Sequence, residues 1–437
     1  MDYLPNVIFA IALLLGIGFF VSNVLKLVRN IKLGKDLDRS DNKPERWKNM
    51  ARIALGQSKM VSRPIAGFLH IVVYIGFIVI NIEVLEIIID GLFGTHRVFQ
   101  PLLGNSIYGF LIGTFEILAF LVLVAVIIFW LRRNIVQLKR FMSKEMKGWP
   151  KNDGNLILYF EIVLMSLFIL MNATDYSFQQ AGFGNPISQF VAPWFSEYPL
   201  ETLSSIEHTA WWAHIIGILI FLNYLYYSKH LHILLAFPNT FYANLQPKGQ
   251  FNNLSSVTKE VRMMMDPDAD PYATPEEGAE EEIPEKFGAS DVTDLNWVQL
   301  LNAYTCTECG RCTSSCPANM TGKELSPRAI MMKTRDRLEE VGRNIDSNKG
   351  TFKDDGKQLL NDYITPEELW ACTSCNACVE ECPIDIDPLS IIMDMRRFLV
   401  MEQSAAPQEL NMMMTNIENN GAPWQYNQQD RLNWKDE

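Results

Sequence analysis

The sequence predicts an all-α protein made of two unlike parts. Five long apolar stretches fill the first 245 residues, each close to the roughly 20 residues that a helix needs to cross a bilayer. Two runs of four cysteines, set among helix-like patterns, occupy a polar second half. Composition agrees: the 437 residues are 48% hydrophobic and only 20% charged, and the apolar excess lies in the first half. A chain of this length has room for two or three domains.

The apolar stretches run from Tyr3 to Leu25, Pro64 to Ile89, Ser106 to Leu131, Leu156 to Thr174 and His208 to Tyr227. The first lacks a basic start and a small-residue cleavage site, so it reads as a retained helix. Basic residues follow the first stretch (Lys26, Arg29, Lys32, Lys35, Arg39), the third (Arg132, Arg133, Lys139, Arg140, Lys144, Lys147) and the fifth (Lys229, Lys248). The opposite loops are nearly bare: 175–207 has no Lys or Arg, and 90–105 has only Arg97. The positive-inside bias then puts the amino terminus outside and both cysteine runs in the cytoplasm, in a multi-pass protein of the inner membrane. Trp194, Trp211 and Trp212 suit an aromatic belt at the outer face, where Glu83 and Glu86 are also expected.

All six histidines lie in this half: His70, His96, His208, His214, His230 and His232. An ionisable side chain in hydrocarbon is costly and marks function. Imidazole is an axial ligand of haem iron, and two helices can each supply one. His232 follows His214 by 18 residues. On one helix that is five turns, placing both on the same face about 27 Å apart, as two haems stacked across a bilayer would need. The same residues serve equally as buried hydrogen-bonding groups, with His230 and His232 at the interface. Glu116, in the middle of the third stretch, is a candidate for a proton or quinone role. A protonated carboxyl hydrogen-bonded between helices is the other reading.

Residues 246–290 read as an acidic linker. Its stretch from Asp266 to Ser290 is rich in Asp, Glu, Pro and Ala and is expected to be flexible or irregular. Much of the formal charge of −12 gathers there and not on a binding face, which argues against nucleic acid as a partner. A cluster domain follows over 291–401, and 402–437 is a polar tail.

The chain has eight cysteines, in Cys306-x2-Cys309-x2-Cys312-x3-Cys316-Pro317 and Cys372-x2-Cys375-x2-Cys378-x3-Cys382-Pro383. That is the spacing of thiolates that hold [4Fe–4S] clusters. It is not disulfide-like, and zinc does not call for it. Two copies imply two [4Fe–4S] clusters, hence electron transfer. Pro327 to Val341 reads as a helix capped by Ser326, Ile364 to Trp370 as one capped by Thr365, and Leu389 to Val400 as a third after Pro388. No Gly-rich phosphate loop is evident and no cysteine is left over for catalysis.

Helices between the cysteine runs give the second half a resemblance to α-helical ferredoxins. Over about 110 residues it resembles the cluster domain of succinate dehydrogenase iron–sulfur subunits and, more closely, the small iron–sulfur subunit of heterodisulfide reductase. Two-cluster ferredoxins exchange their fourth ligands. The resemblance therefore implies Cys306, Cys309, Cys312 and Cys382 for the first cluster, and Cys372, Cys375, Cys378 and Cys316 for the second.

In the first half, Arg63-Pro64-Ile65-Ala66-Gly67-Phe68-Leu69-His70, continuing to Gly76-Phe77, resembles the second helix of the nitrate reductase gamma-subunit family of b-type cytochromes. Tyr227-Ser228-Lys229-His230-Leu231-His232, followed by Pro238-Asn239, resembles the end of the fifth helix in its relatives, the membrane subunits of heterodisulfide reductases and of dissimilatory sulfite-reduction complexes. This resemblance covers residues 1–245. It implies haem b between the second and fifth of five helices, and electron exchange with a quinone. It points to His70 and His214 as haem ligands, with His232 serving a second haem. The two-haem pattern wants another histidine about ten residues before His70, where this chain has Met60. A second helix entering the bilayer at Arg63 also leaves His70 and His214 at unequal depth, a mismatch that a start nearer Arg52 would remove.

The expected architecture is thus a five-helix transmembrane bundle, cytochrome b-like, followed by an α-helical two-cluster ferredoxin domain. The expected function is electron transfer between the quinone pool, through haem b and two [4Fe–4S] clusters, and a catalytic partner in the cytoplasm that is an iron–sulfur protein or flavoprotein. Heterodisulfide reductases hold their substrate-reactive cluster in a module with Cys-Cys-Gly motifs, which this sequence does not contain. The competing expectation is a haem-free, membrane-anchored ferredoxin serving a cytoplasmic oxidoreductase.

Overall fold

The computed structural model describes residues 3–266, 286–425 and 427–436. Among the described residues the regular structure is all helical, apart from two isolated β-bridges. Most of the acidic stretch expected to be loose, residues 267–285, lies outside the described residues.

The first half comprises α1 (Leu4–Ile31), a short α2 (Lys43–Met50), α3 (Pro64–Phe93), α4 (Phe99–Asn134), α5 (Trp149–Thr174) and α6 (Leu200–Tyr224). All but α2 are long and apolar enough to cross a membrane. The second spanning helix does start at Pro64, where proline's fixed φ suits a first helical position. Inside α4, Gly104 takes φ 75° and ψ 159°, which cuts off residues 99–103 and starts the spanning part beside the expected Ser106. The fifth spanning helix begins at Leu200, earlier than the expected His208, with Pro199 before it and Glu201 in its first turn.

These five helices close into a ring: α1 packs on α3 and α6, α3 on α4, α4 on α5, and α5 on α6. The interior is filled by side chains such as Ile112, Phe115, Ala119 and Phe168, all fully buried. Close approach of α3 and α4 depends on Gly76, where a Cβ would lie 2.4 Å from Val122.

One expectation fails here. His214 and His232 do not share a helix. The chain leaves α6 at Tyr224, makes a tight turn over Leu225–Tyr227, is extended at Ser228 (φ −117°, ψ 146°), turns again at Lys229–Leu231, and only then enters α7 (His232–Phe241). Polar groups hold the break open. Asp153 of α5 accepts from the Tyr224 hydroxyl (2.5 Å) and the Lys229 N–H (3.2 Å). The Ser228 hydroxyl accepts from the His230 N–H at 3.1 Å. Such side-chain bonds replace those that a continuing helix would make.

The second half is built on α8 (Trp297–Thr305), α9 (Pro327–Ser347) and α10 (Pro388–Met401). The expected caps are present: Ser326 accepts from the Ala329 N–H at 3.3 Å and Thr365 from the Glu368 N–H at 3.2 Å. Residues 286–290, expected in the loose linker, are instead packed: the Ala289 N–H donates to the Asp394 carbonyl at 3.0 Å, and Ser290 is buried. A helix in the tail, Gln408–Asn420, buries nothing.

The two halves are docked. The last turn of α1 reaches α8 and α9: Asn30 donates to the Tyr304 hydroxyl at 2.9 Å, and Arg29 donates to the Gly342 carbonyl at 3.1 Å and pairs with Asp346. Just beyond, the Lys35 N–H meets the Leu295 carbonyl (2.8 Å) and the Trp297 N–H meets the Lys35 carbonyl (3.1 Å).

Candidate functional site

Each cysteine run wraps itself by the same backbone device. Cys306 follows the last residue of α8, and left-handed residues come two and four places later, Glu308 (φ 53°) and Gly310 (φ 74°). The second run repeats this after Cys372, with Ser374 (φ 52°) and Asn376 (φ 59°). Alternation of this kind turns successive N–H groups toward one concave side, which suits a negatively charged cluster. The Ser374 N–H points at Cys372 Sγ (3.3 Å) and the Ile386 N–H at Cys382 Sγ (3.2 Å). At Gly310 a second constraint applies: a Cβ would sit 2.5 Å from the guanidinium of buried Arg328.

The short helices Arg311–Ser314 and Ala377–Glu381 lie against each other, so the two runs interleave. After burial, the groups that push the Cys312 thiol up most are Cys309, Cys306 and Cys382. For Cys378, pushed up to about 12, burial is followed by Asp387, Cys372 and Cys316. Cys382 is thus among the groups around Cys312, and Cys316 among those around Cys378, each from the other run. Burial likewise raises Cys306 to about 11. As bare thiols these groups stay protonated near neutrality, so metal binding must displace their protons. Cys375 is exposed, whereas Cys306, Cys316, Cys378 and Cys382 are buried.

The first run touches both histidine-bearing segments. Glu308, between Cys306 and Cys309, is buried and pairs with Lys229, next to His230; its other oxygen accepts from Arg335 at 2.9 Å. Arg311, between Cys309 and Cys312, donates to the Lys59 carbonyl (2.8 Å) and the Ser62 hydroxyl (3.2 Å), and lies 3.6 Å from Met60 Sδ. These residues immediately precede α3 and His70. The second run docks nearby, through Lys59–Asp385 (2.6 Å) and Arg63–Glu381 (3.2 Å). Glu308 and Arg311 carry no signal in the sequence beyond lying in the gaps of a cysteine run.

His70 meets His232, their ring centres 6.5 Å apart. His232 Nδ1 lies 3.0 Å from the Lys229 carbonyl and so donates there, leaving Nε2 with a free lone pair. His70 Nδ1 is buried without a partner. These two imidazoles are the donors that would hold a haem iron between α3 and the segment after α6. His230 stands beside it, 5.5 Å from His232. His214, expected opposite His70, lies with its ring against Phe168 at 6.2 Å, and its Nδ1 is also buried without a partner. Met60 faces Arg311.

Glu116 is fully buried and both oxygens are engaged: Oε1 accepts from Asn172 (3.0 Å), Oε2 from the N–H groups of Ile187 (2.9 Å) and Ser188 (3.0 Å). Glu83 and Glu86 are buried as well; Glu86 accepts from the Phe99 N–H (2.9 Å) and the Tyr108 hydroxyl (3.1 Å). Arg97 ties this end together, donating to Asp175 (2.8 Å) and Asn172 (3.0 Å).

Residues 305–386 match the model of the 4Fe-4S dicluster domain. The chain carries an iron–sulfur dicluster domain. It is 29% identical, over 98% of its own length, to 60% of the probable iron-sulfur-binding oxidoreductase FadF of Bacillus subtilis. It is 24% identical, again over 98% of its length, to 59% of the EtfAB:quinone oxidoreductase of Syntrophomonas wolfei. Over 23% of the chain it is 29% identical to 42% of an iron–sulfur subunit of the CoB–CoM heterodisulfide reductase of Methanocaldococcus jannaschii. The chain thus spans about three-fifths of the two relatives that it matches end to end. No solved structure matches.

Proposed function

We propose that this chain is the electron-transfer part of a membrane oxidoreductase, linking a quinone in the bilayer to a catalytic partner in the cytoplasm through haem b and two [4Fe–4S] clusters. The observation that carries it is the 6.5 Å His70–His232 pair beside the first cysteine run. Haem and clusters would each supply one-electron redox chemistry when bound. The chain's own groups position and insulate them: Arg311 and Glu308 clamp the run to both histidine segments, and the ring of apolar helices excludes water. The Lys and Arg bias of the loops supports a cluster half on the cytoplasmic side of the inner membrane. One end-to-end relative is named as a quinone oxidoreductase, which supports the quinone. Cys375, exposed on the second run, is the natural point of contact for an iron–sulfur or flavoprotein partner.

The test is a reduced-minus-oxidised spectrum of the purified chain and of single alanine variants. A b-type band is expected in the wild type, lost in both His70→Ala and His232→Ala and kept in His214→Ala. Loss in His214→Ala with retention in His232→Ala would restore the pairing with His214. No band in a wild type with intact clusters would leave the haem-free, membrane-anchored ferredoxin.

A further inference from the structure

A cavity of about 340 Å³ lies where the bundle meets the cluster half, between the last turns of α1, the start of α5, the turns after α6, and α9. We propose that it binds the ring of a quinone; this rests on the quinone reading above and gives that quinone its place.

Four observations point there. First, Asn23 lines the cavity, is only 4% exposed, and its Nδ2 has no hydrogen-bond partner. A buried amide donor without an acceptor is a group waiting for a ligand carbonyl. Second, the volume is that of a small-molecule site and suits a bicyclic ring. Trp149 and Tyr226 supply flat walls, and Tyr227, more than half exposed, stands at the rim. Third, the cations of the wall are matched: Lys26 and Arg29 by Asp346, Lys229 and Arg335 by Glu308, Arg343 by Glu339. A site without excess positive charge does not select a phosphate, and favours a neutral ring with polar edges. Fourth, Glu308 and Lys229 form part of the wall, so an occupant would border the first cysteine run and the segment that carries His232.

The protons also have a route. Asp336 and Glu339 line the cavity with side chains 56% and 39% exposed, so they exchange protons with water. Reducing quinone to quinol takes two electrons and two protons. The two electrons would arrive one at a time from the reduced haem and [4Fe–4S] groups of the reading above, each oxidised as it gives one up. The protons pass through Asp336 and Glu339, which recover them from solvent. Oxidation of quinol runs with every transfer reversed.

The experiment is photoaffinity labelling of the full chain, clusters in place, in membrane vesicles, with an azido-1,4-naphthoquinone bearing a short isoprenoid tail. Labelling that unmodified quinone competes away should fall on the peptides of Trp149 or Tyr226–Tyr227. In Asn23→Leu it should drop about fivefold, as expected for one lost hydrogen bond, with the haem band and cluster signals unchanged. Asn23→Gln, which keeps a donor, should recover part of it and guards against a folding defect in the leucine variant. Competed labelling elsewhere, for instance around Glu161 midway along α5, or labelling indifferent to Asn23, overturns the site and leaves the quinone reading intact. No competed labelling anywhere overturns both.

Discussion

At the scale of single residues, two positions show how little freedom the site allows. Gly310 holds a left-handed turn against the Arg328 guanidinium. Alanine there meets a backbone cost of about 1–2 kcal/mol and a clash with a charged group that is itself tied to Glu145 and the Arg140 carbonyl. Gly310→Ala is expected to lose the first cluster and keep the second, so iron per chain should fall by roughly half, as metal analysis and electron paramagnetic resonance would show. Glu116 is the second case. Gln there turns one acceptor oxygen into a donor, facing either Asn172 or the N–H groups of Ile187 and Ser188. Glu116→Gln is expected to destabilise the bundle by about 1–3 kcal/mol, read as a lower unfolding temperature in detergent. A change in quinone turnover with stability intact would instead return Glu116 to a proton role. The carboxylate was conspicuous in the sequence because of its depth. Its partners were not, since Asn172 and the 187–188 backbone come from an element and a loop that only the fold brings there.

At the scale of elements, what was legible followed local rules. Pro64, Ser326 and Thr365 mark helix starts by chemistry confined to a few residues, and each start lies where the sequence put it. The cysteine runs were legible because spacing alone reports the cluster. The break at Ser228 was not, for no Pro or Gly announces it. It is imposed by Asp153, 71 residues away from Tyr224, and by Glu308 drawing on Lys229. That is why a spacing of 18 residues suggested one helix and one face for His214 and His232, and why His70 meets the latter. The turn at Lys144–Met146 joins the halves by a second long-range pairing, Glu145 with Arg328 at 2.8 Å. Burial alone would raise Glu145, but the Arg328 hydrogen bond and charge more than offset it and hold the carboxyl below its ordinary 4.5. A depressed carboxyl stabilises above its free value and ceases to do so as pH falls through its value in the fold. This attachment is therefore expected to be complete above pH 4.5 and to weaken below it. Protease sensitivity of residues 139–147 should rise on acidification in the wild type, and should already be raised at neutral pH in Glu145→Gln.

At the scale of the whole molecule, the two cysteine runs are one unit. We propose, from Cys382 acting on Cys312 and Cys316 on Cys378, that the runs exchange their fourth ligands, so that damage to either fourth cysteine should appear in the cluster of the other run. Cys382→Ser is expected to remove the signal of the cluster on Cys306, Cys309 and Cys312, and Cys316→Ser that of the cluster on Cys372, Cys375 and Cys378. Electron paramagnetic resonance of the reduced variants checks this, and a loss confined to the mutated run would refute the exchange.

The strut formed by α1 has a consequence in time. Its last turn is secured by Asp346, 317 residues further along the chain. At ribosomal speeds of about 5–20 residues per second, that partner emerges roughly 15–60 s after the helix it must hold. Through that interval the membrane helices exist with their docking face open. Assembly therefore has an order written into it: the bundle first, its closure by the cluster half last. A cell short of iron should accumulate this protein as an inserted bundle with an undocked, protease-sensitive carboxy-terminal half.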